Sequence, residues 1–414
     1  MNAPASAQAP VLAGPRVPDR HIFVTQDYPP APGGMARRHA DLCRRFAPRP
    51  VTVSTVAAPG AATFDAGERT AIERLPFGFD DAHLLTNQWR WYRRLVAHRR
   101  HYAGSTTVLH CGNIRPCGHA VWWLHRHHRV PYLLYVNGSD LVREEIKARG
   151  RLRRAVTRRI LGDAAGIVAI SAWTARLAAG LLARLGIERP PEIATIDLGT
   201  DPEVFRPERD TGQLRHRLGL GDAPLLLTAA RLVPHKGIDT ALRVLAHLRR
   251  NHPRLRYLVA GSGRDAPRLR SLALELGLDD AVIFAGTLSE ADLAEAHATA
   301  TLYLGLSRVH ATVNVEGFGL VFVEAAASGT PCVAGDSGGI RSAVRDGETG
   351  LIVAPEDIGA ATQACDRLLS DTALRAGMAA AGRRAVETHY NLDRVADETL
   401  AFVDRVTSKV KASR

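Results

Sequence analysis

The sequence predicts an α/β protein of two doubly wound parallel-sheet domains that face each other across a cleft. Three observations predict it. Apolar runs of strand length alternate with helical patterns along the chain. Those runs are continuous in Val, Ile and Leu, the pattern of strands covered on both faces. They fall into two sets of about six strands, and a chain of 414 residues is long enough for two ordinary domains.

The first set is expected at His21–Thr25, Val51–Val56, Thr106–His110, Tyr132–Val136, Gly166–Ile170 and Ile193–Leu198. Gly199-Thr-Asp-Pro-Glu-Val-Phe-Arg-Pro207 is dense in turn residues and is the expected hinge. The second set is expected at Leu225–Ala230, Arg256–Ala260, Ala281–Ala285, Thr301–Leu306, Pro331–Ala334 and Leu351–Val353. The stretch from Leu374 to Val410 reads as two helices separated near Tyr390-Asn391. The expected organisation is therefore a first domain over 20–205, a second over 206–390, and a C-terminal helix over 391–414. Residues 1–19 are rich in Ala and Pro, lack a signal-peptide core and are expected to be disordered.

The net charge of +12 implies an acidic partner: a nucleoside diphosphate, an anionic lipid or nucleic acid. No nucleic-acid motif accompanies that charge. The cysteines (Cys43, Cys111, Cys117, Cys332 and Cys365) form no Cys-x-x-Cys pair and are expected to be free thiols in a reducing compartment. The most apolar long stretch, Ala120 to Val136, is broken by His125, Arg126, His127, His128 and Arg129, so no membrane span is expected.

The most informative stretch is Glu316-Gly-Phe-Gly-Leu-Val-Phe-Val-Glu324. Gly317 and Gly319 let the backbone turn tightly and approach a ligand. Leu320, Val323 and Ala327 then mark one buried helical face. Free N–H groups and the positive dipole end at such a helix start suit an anion. Two carboxylates beside an anion site suit a ligand with both phosphate and hydroxyls, such as a nucleotide sugar. Two solvated glutamates on a surface loop and helix would carry the same pattern.

Arg231-Leu-Val-Pro-His-Lys236-Gly237 follows a strand and opens a helix. Arg231 and Lys236 could neutralise a diphosphate leaving group in place of a divalent metal, or simply solvate a helix turn. The chain has no Asp-x-Asp triplet of the kind that clamps metal and diphosphate. Gly261, in Ala260-Gly-Ser-Gly263, suits a ribose or phosphate contact, and close strand–helix packing equally. Gly33-Gly34 would bring N–H groups to the ligand from the first domain, or form a rigid Pro/Gly connector. His110 and Asn137 end two strands and are expected to face the cleft, His110 on the acceptor side. Trp89–Tyr102 mixes aromatics and cations at helical spacing and Arg143–Arg159 adds another basic run, as an interfacial helix on anionic lipid or a solvated basic face would.

Together these residues resemble the retaining glycosyltransferases of family 4, also called glycosyl transferases group 1, which have the GT-B fold of two facing Rossmann-like domains. The resemblance runs from Tyr28 to the C-terminal helix. It rests on the Glu-x7-Glu motif (Glu316, Glu324), the Arg…Lys pair (Arg231, Lys236) and the Gly33-Gly34 loop. Ile170-Ser171, Asp197–Phe205, Ser337-Gly-Gly-Ile340 and Asp346–Val353 add to it.

The resemblance implies that Glu324 holds the ribose hydroxyls and Glu316 the donor sugar. It implies that the N–H groups of Gly319 and Leu320 join Arg231 and Lys236 on the diphosphate, and that Gly317 and Phe318 also contact the donor. Ile283 falls where the family's backbone meets the base, and the last helix would cross back to the first domain. One position departs from the pattern: many relatives carry His where this chain has Asn137, and Asn cannot act as a general base. In the family the leaving phosphate is often thought to take the acceptor proton, which leaves Asn137 a positioning role.

The expected activity is retaining, metal-independent transfer of a sugar from a nucleotide-diphosphate donor to the hydroxyl of a glycan, lipid-linked or small-molecule acceptor. No cofactor is expected, and the expected location is the cytoplasm or the inner membrane face. An epimerase or phosphorylase of the same fold, or a non-catalytic nucleotide-sugar binder, is the alternative.

Overall fold

A computed structural model describes residues 18–31, 33–76, 84–101, 106–311 and 313–412. The disorder expected of residues 1–19 therefore concerns residues that lie, but for the last two, outside those described.

The first sheet has seven strands: β1 (Arg20–Val24), β2 (Val51–Val56), β3 (Ala71–Leu75), β4 (Thr107–Cys111), β5 (Tyr132–Val136), β6 (Gly166–Ala169) and β7 (Glu192–Thr195), in the order β3-β2-β1-β4-β5-β6-β7. The second has six: β8 (Leu225–Ala229), β9 (Arg256–Ala260), β10 (Val282–Gly286), β11 (Leu302–Gly305), β12 (Cys332–Gly335) and β13 (Gly350–Val353), in the order β10-β9-β8-β11-β12-β13. Every pairing is parallel. These are two Rossmann-like α/β sheets, as the continuous apolar runs predict.

Strand order reverses between β1 and β4 in one sheet and between β8 and β11 in the other. In open α/β sheets the loops after such strands flank the ligand crevice. The Gly33-Gly34 loop follows β1, the Arg231–Gly237 turn follows β8, and the loop carrying Glu316 follows β11.

β3 is absent from the strands read in the sequence. It is an edge strand beside β2, half-exposed along most of its length. Its Glu73 meets Arg94 at 2.9 Å and its Arg74 meets Asp65 at 2.7 Å, so polar residues interrupt the apolar run used to find strands. All five cysteines are buried free thiols.

Helix Leu392–Ala412 packs onto the first sheet. Gly166 of β6 lacks the Cβ that would meet the Phe402 ring at 2.6 Å, and Arg49 grips Asp404 through bonds of 2.7 and 2.8 Å. Helix Thr372–Thr388 stays with the second sheet, where Arg383 donates to the carbonyls of Pro202, Phe205 and Ala327 at 2.8–3.0 Å.

Candidate active site

The site is built from turns at the carboxyl ends of the strands. After β8, Pro234–Lys236 form one 3-10 turn, and Gly237 closes it at φ +66°. A methyl on Gly237 would run into the Leu306 carbonyl, so the turn lies flat against the end of β11. Lys236 Nζ then forms an ion pair with Glu316 Oε2, and both side chains are largely buried. The pair bridges the loops on either side of the second sheet's switch point.

Burial pushes the Glu316 carboxyl up, but the Lys236 ammonium outweighs it and holds the group below the usual carboxylate range. Glu316 is thus an ionised acceptor. His235 is pushed down to about 4, by burial and then by Lys236, so it is neutral. Arg231 is exposed at the same turn, and its guanidinium makes no ion pair or hydrogen bond among the described residues. One cation of the predicted pair holds Glu316, and the other is open to an anion.

Helix Leu320–Ala327 begins at Gly319, where φ is +96° and a Cβ would crowd Phe322 at 2.7 Å. The Phe318 side chain is buried near Tyr390, which leaves its backbone for a ligand. Leu320 is half-buried. Gly317 has no room for a Cβ beside the Asn137 carbonyl, and its own carbonyl accepts from Ser171 Oγ at 2.8 Å. The two domains touch here, at the base of the cleft.

Glu324 is 1% exposed. One oxygen pairs with Arg37 from the first domain, and the other lies 3.7 Å from His297 Nε2. Arg37 also lies 3.8 Å from Glu290, with its guanidinium carbon 5.3 Å from the Phe205 ring centroid. Sequence reasoning missed Arg37. It also missed Arg38, which is buried and donates to Asn137 Oδ1 at 2.8 Å. A usable signal existed: helix Gly34–Arg45 has no acid in its first turn and carries these arginines near its positive end.

Asn137 sits at the end of β5, with its backbone N–H on Asp140 at 3.0 Å. Because Arg38 holds its carbonyl oxygen, its amide NH2 is the group left for a ligand. Gly33 has φ +125°, and a Cβ on Gly33 or Gly34 would meet nothing within 4 Å, so this loop borders open space. Gly261 differs. A Cβ there would strike the Ala230 carbonyl, and its N–H bonds to Gly286 O at 2.6 Å. Its glycine is required by packing. Ile283 lies half-buried in the edge strand β10.

His110 does not face the cleft. It lies inside β4 with no exposed surface, bonded to His21 at 2.9 Å and to the Tyr135 hydroxyl at 2.8 Å. Burial, and His21 after it, hold its pKa well below the ordinary value. Cys111, not His110, ends the strand. The acceptor-side role expected of His110 is therefore withdrawn.

Residues 32–204 match the model of Glycosyltransferase Family 4, and residues 210–385 match that of Glycosyl transferases group 1. A GDP-mannose-dependent alpha-(1-6)-phosphatidylinositol monomannoside mannosyltransferase of Mycobacterium tuberculosis is 30% identical, over 93% of this chain and 98% of that one. The chain belongs to glycosyltransferase family 4. A D-inositol 3-phosphate glycosyltransferase of Acidothermus cellulolyticus is 33% identical over 70% of this chain and 66% of that one. Among solved structures, Anabaena HepE in complex with UDP and glucose aligns at TM-score 0.76 and 18% identity, over 93% of this chain and 99% of that one. Sucrose-phosphate synthase from Thermosynechococcus elongatus aligns at TM-score 0.75 and 23% identity, over 94% and 99%. These structural likenesses establish the GT-B architecture of this glycosyltransferase. Among its described residues no group of three or more His, Cys, Asp or Glu side chains could hold a metal ion, and no helix is long and apolar enough to cross a membrane.

Proposed function

We propose that this glycosyltransferase moves a hexose, with retention at the anomeric carbon, from a nucleoside-diphosphate sugar to a hydroxyl of an inositol-bearing glycolipid. The observation that carries the reading is the Lys236–Glu316 pair at the switch point of the second sheet, with Arg231 open beside it. The relatives' names supply the chemical class: one is GDP-mannose-dependent and acts on a phosphatidylinositol mannoside.

In the proposed reaction the donor diphosphate enters between Arg231, Lys236 and the backbone at Gly317–Leu320. Lys236 exchanges Glu316 for a phosphate oxygen. Glu316, ionised and freed, accepts hydrogen bonds from the sugar hydroxyls. Cationic charge on the departing diphosphate stabilises an oxocarbenium-like state, where preorganised charge contributes most. The acceptor hydroxyl attacks from the same face and passes its proton to the leaving phosphate, so Asn137 need only orient the sugar. Because the two cations meet the diphosphate, the reaction needs no divalent metal.

The test is a panel of nucleoside-diphosphate sugars offered with phosphatidylinositol glycosides, with and without excess chelator. Product configuration is read by proton NMR. The expected product keeps the donor's anomeric configuration at a chelator-independent rate. Inversion, strict dependence on added metal, or donor epimerisation without an acceptor would overturn the proposal.

A further inference from the structure

We infer that the face formed by helices Ser139–Lys147 and Arg151–Gly162 docks this enzyme on an anionic bilayer. The inference goes beyond the proposed chemistry and does not depend on it.

The charge on this face is uncompensated. Arg143, Lys147, Arg149, Arg151, Arg153 and Arg159 are exposed, and their side chains form no ion pair or hydrogen bond among the described residues. The acids of the same segment are all engaged. Glu144 is buried and bonded to Arg115 at 2.5 Å and to Thr157 at 3.0 Å. Glu145 pairs with Arg184 at 2.9 Å, and Asp140 accepts from the backbone of Asn137 and Leu141.

Aliphatic groups stand among these cations. Leu152 is 79% exposed between Arg151 and Arg153, and Ile146 is 39% exposed. Beside them lies a groove of about 380 Å³ with Ile146, Leu181 and Leu185 in its lining and Arg149, Arg154 and Arg184 around them. Cations that meet headgroup phosphates, with aliphatic side chains between them that reach the acyl boundary, match an anionic membrane surface. A nucleic acid offers the phosphates but no partner for Leu152.

Position supports the same occupant. Helix Ser139–Lys147 starts directly after Asn137-Gly138, so its far end lies about 13 Å from the cleft at 1.5 Å per residue. A bilayer on this face lies beside the first domain's half of the cleft. The aromatic helix singled out in the sequence is a weaker candidate. In helix Leu84–His101, Trp91 is buried and bonded to Ser54 at 2.7 Å, and the half-exposed Trp89 stacks on Tyr92 at 5.1 Å. Tyr102, which ends that run, lies outside the described residues.

The test is flotation of the full chain with vesicles of phosphatidylcholine alone or mixed with phosphatidylglycerol. Binding to the anionic vesicles only is expected. The triple variant Arg149→Gln/Arg151→Gln/Arg153→Gln should lose about five-fold in partitioning per charge, roughly a hundred-fold in all. Leu152→Ser should lose roughly ten-fold. The control Arg243→Gln/Arg250→Gln/Arg254→Gln, on the second domain, should bind as the parent does. Unchanged melting temperatures establish that each variant folds. Failure to float with anionic vesicles, or an equal loss in the control, would overturn the inference. So would parent-like binding by Leu152→Ser together with charge-dependent binding of duplex DNA or RNA, which would mark a nucleic-acid face. No outcome depends on a donor or acceptor sugar, so a failed transfer assay leaves this test readable.

Discussion

Arg37→Ala removes the cation that the first domain places on Glu324. The Glu324 side chain is 2% exposed and that of Arg37 is 26% exposed. The other neighbour, His297, does not replace the charge, because its burial, the larger cause of its lowered pKa, persists in the variant. The variant therefore leaves a buried carboxylate without a counter-charge. Removing one partner of a buried pair costs about 3–5 kcal/mol, and the partly open guanidinium sets the lower end, about 3 kcal/mol. For a domain of about 200 residues each kcal/mol moves the melting temperature by about 2–4 °C, so the expected drop is about 6–12 °C. Differential scanning calorimetry near neutral pH reads it. Arg37→Ala/Glu324→Gln removes the stranded charge too and should recover most of the loss. A drop equivalent to less than about 1 kcal/mol, the worth of a surface pair, would refute the reasoning. So would additive losses in the double variant, which would show that the two side chains do not interact.

Glu316→Gln should abolish sugar transfer while calorimetry still detects nucleoside diphosphate binding; transfer at the parent rate would remove Glu316 from the reaction. Lys236→Ala should weaken nucleoside diphosphate binding by about 1.5–3 kcal/mol, roughly ten- to hundred-fold, and equal affinity would refute the phosphate contact. Burial first, and then Arg38 beside His39 and Arg37 beside His297, push both histidines down to about 3. An unfolded histidine titrates near 6.5, so below that pH the unfolded chain binds protons that the native chain does not. Stability should therefore fall as pH drops from about 6.5 towards 4, and a melting temperature that stays level across that window would contradict the assignment of these groups as neutral.

The fold was legible because burial on both faces forces continuous Val/Ile/Leu runs, as in Leu225–Ala229 and Tyr132–Val136. β3 escaped because an edge strand tolerates Glu73 and Arg74, whose partners come from other elements. His110 was misplaced because composition does not say which face of a strand meets the cleft. A one-residue shift of the strand, to Thr107–Cys111, turns the chain only after Cys111 and leaves the imidazole among His21, Tyr135 and Phe23. Lys236 and Glu316 were legible as candidates because a strand–turn–helix context limits where such side chains can go. That they hold each other was not, since parallel-sheet topology sets which loops are neighbours.

Glu324 shows most clearly what sequence position hides. On its own helix it reads as a polar position that water could cover, yet it is nearly inaccessible because Arg37 reaches it from the facing domain. The same arrangement governs the opening stretch of that helix. Gly317 must lack a side chain because the Asn137 carbonyl of the first domain and the Ile170 side chain close over it, and its own carbonyl accepts from the Ser171 hydroxyl. Gly339 supports it from behind, donating to the Glu316 carbonyl at 2.9 Å. A helix start that merely binds an anion needs free N–H groups and no second domain. Here the loop bearing Glu316 is held from both sides before any ligand arrives, so its carboxylate is positioned by the domain contact as well as by Lys236. Motion of one domain on the other must therefore disturb the Arg37–Glu324 and Ser171–Gly317 contacts together. That couples the state of the cleft to the residues that would hold the donor.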